Sequence, residues 1–452
     1  MKKIQPARQV KISPARRAAF EILQKIETEK SFSSVLLPIY EEELSTKDRA
    51  LCHTLTLGVL RKKLYLDRLI EQFTKKKTEK FDLAVLLALR IGLFQILFLD
   101  KIPAYSAINE SVNLVHQAGK RSAAGLVNAI LRRAARDEVN FNFADRLEKI
   151  SVETSHPRWL VERWTKQFGM EETEKLAVAN NETPQLVFRL TKKSDEKTIE
   201  TLKKIDLEIS ESIVVSSAWK VLKSNEILHL YADEGKIYFQ DEASQLVAQA
   251  VLLQADENFL DVCAAPGSKT TQINYELQNT NYELQNFVAG DRYLHRLRVL
   301  RQTCERVGAQ NVKIVAYDAE KNLPFAAESF DTVLVDAPCS GSGTIRHNPE
   351  IRYYLQAEDF TELAGKQLQI LENASKVVKT GGRLIYSTCS LEREENEAVC
   401  EIFLAAHTDF EKVLPALPER FLTGEGFART FPQNDKTDGF FIAVFRKKIN
   451  NL

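Results

Sequence analysis

FLDVCAAPGSKT, Phe259 to Thr270, is an apolar run that ends in a turn of small residues and opens a helix. Its reading decides the fold. A strand, a glycine-bearing turn and a helix, in that order, make the first unit of a parallel α/β sheet. The helix start offers free N–H groups, and Gly267 lets a ligand approach the backbone closely. The turn is neither GxGxxG nor a P-loop, so it indicates neither NAD nor ATP. An ordinary βα turn is the plain alternative.

Working outward, five further apolar runs follow: FVAGD (287–291), KIVAYD (313–318), TVLVDAP (332–338), RLIYSTC (383–389) and FFIAVF (440–445). All but the last precede a helical or turn segment. The alternation predicts a doubly wound, mainly parallel sheet with helices on both faces. The last run follows Asp438-Gly439 and is expected to add an antiparallel strand at one edge.

Polar residues gather at the strand ends. Asp291, Asp318 and Asp336 end the second, third and fourth strands and would open on one rim. A carboxylate at the second strand end can accept both hydroxyls of a ribose. Cys339 lies just beyond the fourth strand and Cys389 just beyond the fifth, so both thiols would reach the same crevice. Burial as a small hydrophobe is the commoner fate of a cysteine. That fate suits Cys52, Cys304 and Cys400, which fall in helical patterns, while Cys263 in the first turn reads as structural.

The six cysteines show no CxxC pair, and the seven histidines form no HxxxH or Cys/His cluster. No metal site and no disulfide framework is expected, and a reducing cytosol is the default. MKKIQPARQV is basic but lacks the apolar core of a signal peptide. The most apolar run, Leu83 to Leu99, is interrupted by Arg90 and Gln95 and is short for a membrane span. It reads as a buried core helix.

Formal net charge is zero but uneven. Residues 1–140 carry 25 Lys+Arg against 15 Asp+Glu, and the remainder 37 against 47. A basic first third suits a polyanionic partner, though a solvated helical surface would look the same. Residues 8–137 repeat apolar positions at three- and four-residue spacing and predict six or seven helices. A boundary is expected near 141–156. SHPRWLVERWTKQFG reads as a helix with Pro157 in its first turn, and its tryptophans as packing residues. NNETPQLVFRL ends that helix and leads into the strands of a small α+β subdomain that runs to Phe239. The expected domains are 1–142 (all-α), 143–235 (linker helix and α+β subdomain) and 236–452 (α/β core). NYELQN occurs at 274–279 and 281–286, too short for a solenoid, and reads as an inserted loop or helix extension.

DVCAAPGSKT, DAPCSGSGTIRHNPEIRY and YSTCSLEREENEAV resemble three motifs of the RNA cytosine-5 methyltransferases, the NOL1/NOP2/Sun family. The helical front resembles a NusB-like RNA-binding domain, and SHPRWLVERW, QDEASQLVA, NAILRR and TDGFFIAVFRK fit the family's other regions. The resemblance covers nearly the whole chain and points to the NusB-fronted bacterial enzymes that act on 16S ribosomal RNA. It implies a Rossmann-like class I methyltransferase core, S-adenosylmethionine as cofactor, and carbon 5 of a cytosine in 16S rRNA as target. The expected protein is cytoplasmic, with no membrane or metal partner, and is taken as a monomer although the sequence does not fix its oligomeric state.

Carried onto this chain, Cys263, Ala264, Ala265, Pro266, Gly267, Ser268 and Lys269 would line the cofactor. Asp291 would bind its ribose, Asp318 would lie near the adenine, and Asp336 belongs to the DAPC motif. Cys389 would be the nucleophile, Cys339 the cysteine that helps release product, Asp336 the acid raised by burial, and Lys269 a charge favouring the thiolate. Arg346, His347, Asn348, Arg352 and Tyr353 could grip phosphates or stack on bases, with packing of the helix that follows an equal alternative for Arg352 and Tyr353. The chain departs from the family in having Ser268 for a second glycine, Gln433 for a common histidine, and His347 for a second basic residue. Three rivals are an amino-nitrogen methyltransferase, a DNA cytosine enzyme attacking through Cys339, and a non-catalytic RNA-binding factor.

Overall fold

The computed structural model describes residues 12–195, 197–205, 207–278 and 286–449. The chain divides into two compact units: residues 1–182 with 345–354, and residues 183–344 with 355–452.

The first unit is helical. Its helices are Pro14–Glu29, Ser33–Glu41, Thr46–Arg61, Lys63–Thr74, Leu83–Phe98, Ala104–Gln117, Ala124–Ala134, Arg146–Thr154, Arg158–Phe168 and Met170–Ala179. Helix Leu83–Phe98 is the hub of a large apolar core, as its sequence demands. Its two polar residues are buried and answered. The Arg90 guanidinium donates to both oxygens of Asp67 (2.7 and 2.8 Å) and to Glu27 (2.8 Å). Gln95 accepts from Arg16 Nε at 2.7 Å. Pairing of this kind offsets the cost of burying the charge. No helix among the described residues is long and apolar enough to cross a membrane.

Two local readings are corrected here. The expected boundary holds a helix, Arg146–Thr154, whose cap Asp145 accepts from Glu148 N at 2.7 Å. Such a cap is worth about 1 kcal/mol and stabilises a helix too short to show a period. The segment after Pro157 forms two helices, broken at Gly169, whose φ of +84° leaves the helical region. Trp164 is fully buried against the His156 ring, a packing role.

The second unit holds two sheets. The small one contains β1 (Val187–Leu190), β2 (Glu208–Glu211), β3 (Ala218–Lys223) and β4 (Ile237–Phe239), in the antiparallel order β2-β3-β1-β4. The large one contains β5 (Asn258–Asp261), β6 (Asn286–Asp291), β7 (Lys313–Ala316), β8 (Phe330–Asp336), β9 (Val378–Thr388), β10 (Phe410–Val413), β11 (Ala428–Arg429) and β12 (Phe441–Lys447). Its order is β10-β12-β9-β8-β5-β6-β7, with β11 beside β12. β7, β6, β5, β8 and β9 run parallel, which is the expected Rossmann-like core.

The last run was expected at an edge. β12 lies instead between β9 and β10, antiparallel to both. Its residues Phe441 to Val444 are buried on both faces, which an edge strand does not require. The edge falls to β10, whose FEKV sequence carries no apolar run to announce it. In the NYELQN repeat, residues 274–278 continue helix Ser268–Gln278 and residue 286 begins β6, while 279–285 lie outside the described residues.

Candidate active site

Strand register builds the site. In the parallel pair β8–β9, Val335 faces Tyr386 and Asp336 faces Ser387. DAPC and STC therefore leave the sheet at the same level, and Ala337 N donates to Ser387 O at 2.9 Å. The two loops then converge. Cys389 N donates to Cys339 Sγ at 3.3 Å, and the two Sγ atoms lie 3.1 Å apart. Both cysteines are partly exposed. Gly343 N holds the Cys389 carbonyl at 2.9 Å. A Cβ on Gly343 would come within 2.0 Å of Gly439 O, so no larger residue fits between these loops.

The turn after β5 brings the charge. Lys269, in the first turn of helix Ser268–Gln278, donates to Asp336 Oδ2 at 2.7 Å. Ser387 Oγ donates to Asp336 Oδ1, also at 2.7 Å. Burial works against the Lys269 charge, but attraction to Asp336, helped by Cys389 and Asp261, outweighs it and raises the lysine above its ordinary range. Asp336, the expected proton carrier, thus accepts one hydrogen bond at each carboxylate oxygen, from Lys269 and from Ser387.

The thiols differ. Cys339 is raised well above an ordinary thiol, first by its contact with Cys389, then by burial, then by the charges of Cys389 and Glu395. The shift favours its thiol form, and either sulfur can be the donor across the 3.1 Å contact. Cys263 is raised strongly by burial and by Asp261. Burial raises Cys52 to about 11 and Cys304 to about 12, and Cys400 well above the normal value. Burial disfavours the thiolate at all four.

The turn has the build of a ligand cradle. Gly267 has φ +104°, and an added Cβ would meet Leu300 at 2.8 Å. Ala264 and Ala265 are buried, Ser268 partly so, and Pro266 is exposed after a cis bond from Ala265. Arg189 of β1 supports the turn from behind, donating to Ser268 O at 2.9 Å and Thr271 Oγ1 at 2.8 Å. Asp291 ends β6, accepting from Tyr293 N at 3.1 Å and pairing with Arg296 at 3.3 Å. Arg296 also donates to Ala265 O, joining the carboxylate to the turn. Asp318 lies two residues beyond β7 and pairs with Arg292 at 3.5 Å.

Sequence reading passed over Asp261, the last residue of β5. It is buried, and its Oδ2 accepts from Thr270 Oγ1 at 2.7 Å. Its Oδ1 is buried with no hydrogen-bond partner among the described residues. Burial first, then the charges of Asp336 and Asp291, raise its carboxyl to about 7, against the Thr270 bond and Lys269. An orphaned buried oxygen costs about 1–3 kcal/mol unless something answers it. The quoted motif begins with this residue, so the signal was present.

The residues expected to meet RNA belong to the helical unit. His347 is exposed, but Arg346 is buried. Arg352 is fully buried, which corrects its expected role. Its guanidinium donates to Pro349 O, Thr154 O, Asn181 Oδ1 and Asn180 O at 2.9–3.3 Å. These donors are spent on interior carbonyls and none faces a phosphate. Tyr353 likewise donates to Leu60 O and Ser155 O.

Comparison with known proteins agrees with this architecture. Residues 248–446 match the family model 16S rRNA methyltransferase RsmB/F. Residues 13–136 match the NusB family, and 156–227 a ferredoxin-like domain of RsmF/B-like methyltransferases. A Bacillus subtilis protein described as a probable ribosomal RNA small subunit methyltransferase B is 34% identical, covering 97% of this chain and all of the relative. A Synechocystis protein of the same description is 35% identical over 96% of this chain and 99% of the relative. The solved structure of PH0851 superposes with a TM-score of 0.82 at 27% identity, covering 97% of this chain and 99% of the other. Full-length likeness at this level leaves one conclusion: the chain belongs to the 16S rRNA methyltransferase RsmB/F family.

Proposed function

We propose that this protein methylates carbon 5 of a cytosine in small-subunit (16S) ribosomal RNA, using S-adenosylmethionine, through a transient bond between Cys389 and carbon 6. The observation that carries the reading is the pair of thiols 3.1 Å apart beside the Lys269–Asp336 ion pair. The cradle suits the cofactor. Gly267 admits close approach, Asp261 Oδ1 has no hydrogen-bond partner among the described residues, and Asp291 ends β6, a position that suits a ribose-binding carboxylate. When bound, S-adenosylmethionine supplies an electrophilic methyl group.

Carbon 5 of cytosine is a weak nucleophile. Addition of the Cys389 thiolate at carbon 6 makes the ring enamine-like and strengthens it, so one hard step becomes two easier ones. The Lys269–Asp336 pair would supply the hydrogen bond or proton that the ring nitrogen needs as charge builds on it. After methyl transfer carbon 5 gives up its proton to a base or water as the Cys389–carbon 6 bond breaks and the pair of electrons returns to the Cys389 sulfur; Cys339, 3.1 Å from that sulfur, is placed to assist this elimination. The target base must leave its stack, at a cost of a few kcal/mol that is least in a single-stranded segment. The basic helical region would supply salt-dependent affinity for the rRNA.

The test is direct. Unmodified small-subunit rRNA incubated with the protein and the cofactor should gain 5-methylcytosine, detected by nucleoside mass spectrometry. A methyl group on the amino nitrogen, or none, would contradict the reading.

A further inference from the structure

Glu395 has no exposed surface and lies in the short 3-10 turn Arg393–Glu395 after β9. Its carboxylate accepts four hydrogen bonds. Ser340 N and Gln367 Nε2 donate to Oε1, each at 2.9 Å. The Ser340 hydroxyl (2.5 Å) and the Ser390 hydroxyl donate to Oε2. Ser340 directly follows Cys339, and Ser390 directly follows Cys389. One oxygen atom thus ties the residue after each thiol to a common point. The flanks are fastened too. Gln367 donates to Pro338 O at 3.0 Å, and Tyr386 OH donates to the Glu395 carbonyl at 2.5 Å.

Hydrogen bonds to an ionised acceptor are stronger than neutral ones, and a buried network with every member satisfied is rigid. Two thiolates at this separation would repel each other, so a fixed negative charge beside one thiol selects the other for ionisation.

We propose that Glu395 is the positioning residue of the thiol pair: acting through Ser340 and Ser390, it holds the two sulfurs in register, and its charge keeps Cys339 protonated so that attack falls to Cys389. The second half of this assignment rests on the reading of Cys389 as nucleophile. The Glu395 charge is among the influences that raise Cys339, after the Cys389 contact and burial.

The test uses the full chain with Glu395→Gln, which keeps the shape and removes the charge. Iodoacetamide is the probe, and alkylation of Cys339 and Cys389 is followed separately by peptide mass spectrometry as pH rises. Loss of the charge should speed Cys339 alkylation about tenfold near pH 8, the effect of one pKa unit on the thiolate fraction. The conservative Glu395→Asp should restore part of the protection. Cys339 alkylation within about twofold of the parent at every pH would overturn the proposal, since a shift of one unit would exceed that.

If Glu395→Gln does not fold, Ser340→Ala carries the test. Diamide converts two adjacent thiols to a disulfide while its azo bond is reduced to a hydrazide. Its formation between Cys339 and Cys389 should slow in Ser340→Ala, and an unchanged rate would contradict the proposed register. Failure of the underlying reading shows elsewhere: methyl transfer surviving in Cys389→Ala would remove the nucleophile and leave the alkylation profile as it stands.

Discussion

Cys339 Sγ lies 3.1 Å from Cys389 Sγ, although 50 residues of chain separate them. The parallel register of β8 and β9 brings them together, and the loops beyond the strand ends close the remaining distance. On the proposed mechanism the two thiols would divide a covalent cycle, Cys389 serving addition and Cys339 elimination. Lys269 and Asp336 complete the group on the neighbouring side.

Removing the Lys269 charge should slow chemistry more than binding. Lys269→Met leaves Asp336 with the Ser387 hydroxyl alone. Single-turnover methylation should fall about 100-fold or more, the usual range for a proton-transferring group. The KM for rRNA should stay within a factor of about two, because a group acting only in the transition state leaves ground-state binding intact. A rise in KM with an unchanged single-turnover rate would make Lys269 a binding residue.

Asp261 predicts a pH dependence of stability. Its carboxyl is raised from the ordinary value to about 7 in the folded chain, mainly by burial. Between the unfolded and folded values the native state binds the extra proton, so stability is highest below pH ~4 on this account and falls as pH rises toward ~7. The loss is on the order of a few kcal/mol, at ~1.4 kcal/mol per unit. Thermal melts of Asp261→Asn should lose that slope across the same window while the parent keeps it. Parallel pH profiles for the two proteins would refute the assignment.

Arg352 predicts a stability defect and no electrostatic one. Arg352→Met strands several buried carbonyls at about 1–3 kcal/mol each and should lower the melting temperature clearly. Among molecules that remain folded, the salt dependence of rRNA binding should be unchanged, because no phosphate contact is lost. A shallower salt slope at full stability would restore the expected RNA contact.

The parallel sheet was legible because each of its strands is a short apolar run bounded by a turn. The thiols and strand-end aspartates were legible because parallel strands deliver their ends to one rim. β10 was not, since FEKV has no apolar run and exists only by pairing with β12. Helix Arg146–Thr154 was hidden by its length and is announced only by its cap. Arg352 misled because an arginine after a functional loop looks the same in sequence whether its fork meets phosphates or carbonyls. Glu395 stood inside a charged run that reads as a solvated face, and only tertiary structure shows that it is buried.

The central claim is that Cys389 makes the bond to the base. The most direct measurement is a denaturing gel of Cys389→Ala and Cys339→Ala after incubation with substrate rRNA and S-adenosylmethionine. Cys339→Ala should accumulate a protein–RNA adduct that survives denaturation, because addition proceeds while release is impaired. Cys389→Ala should form none and should be inactive. An adduct in Cys389→Ala, with Cys339→Ala forming none, would contradict the account and assign attack to Cys339.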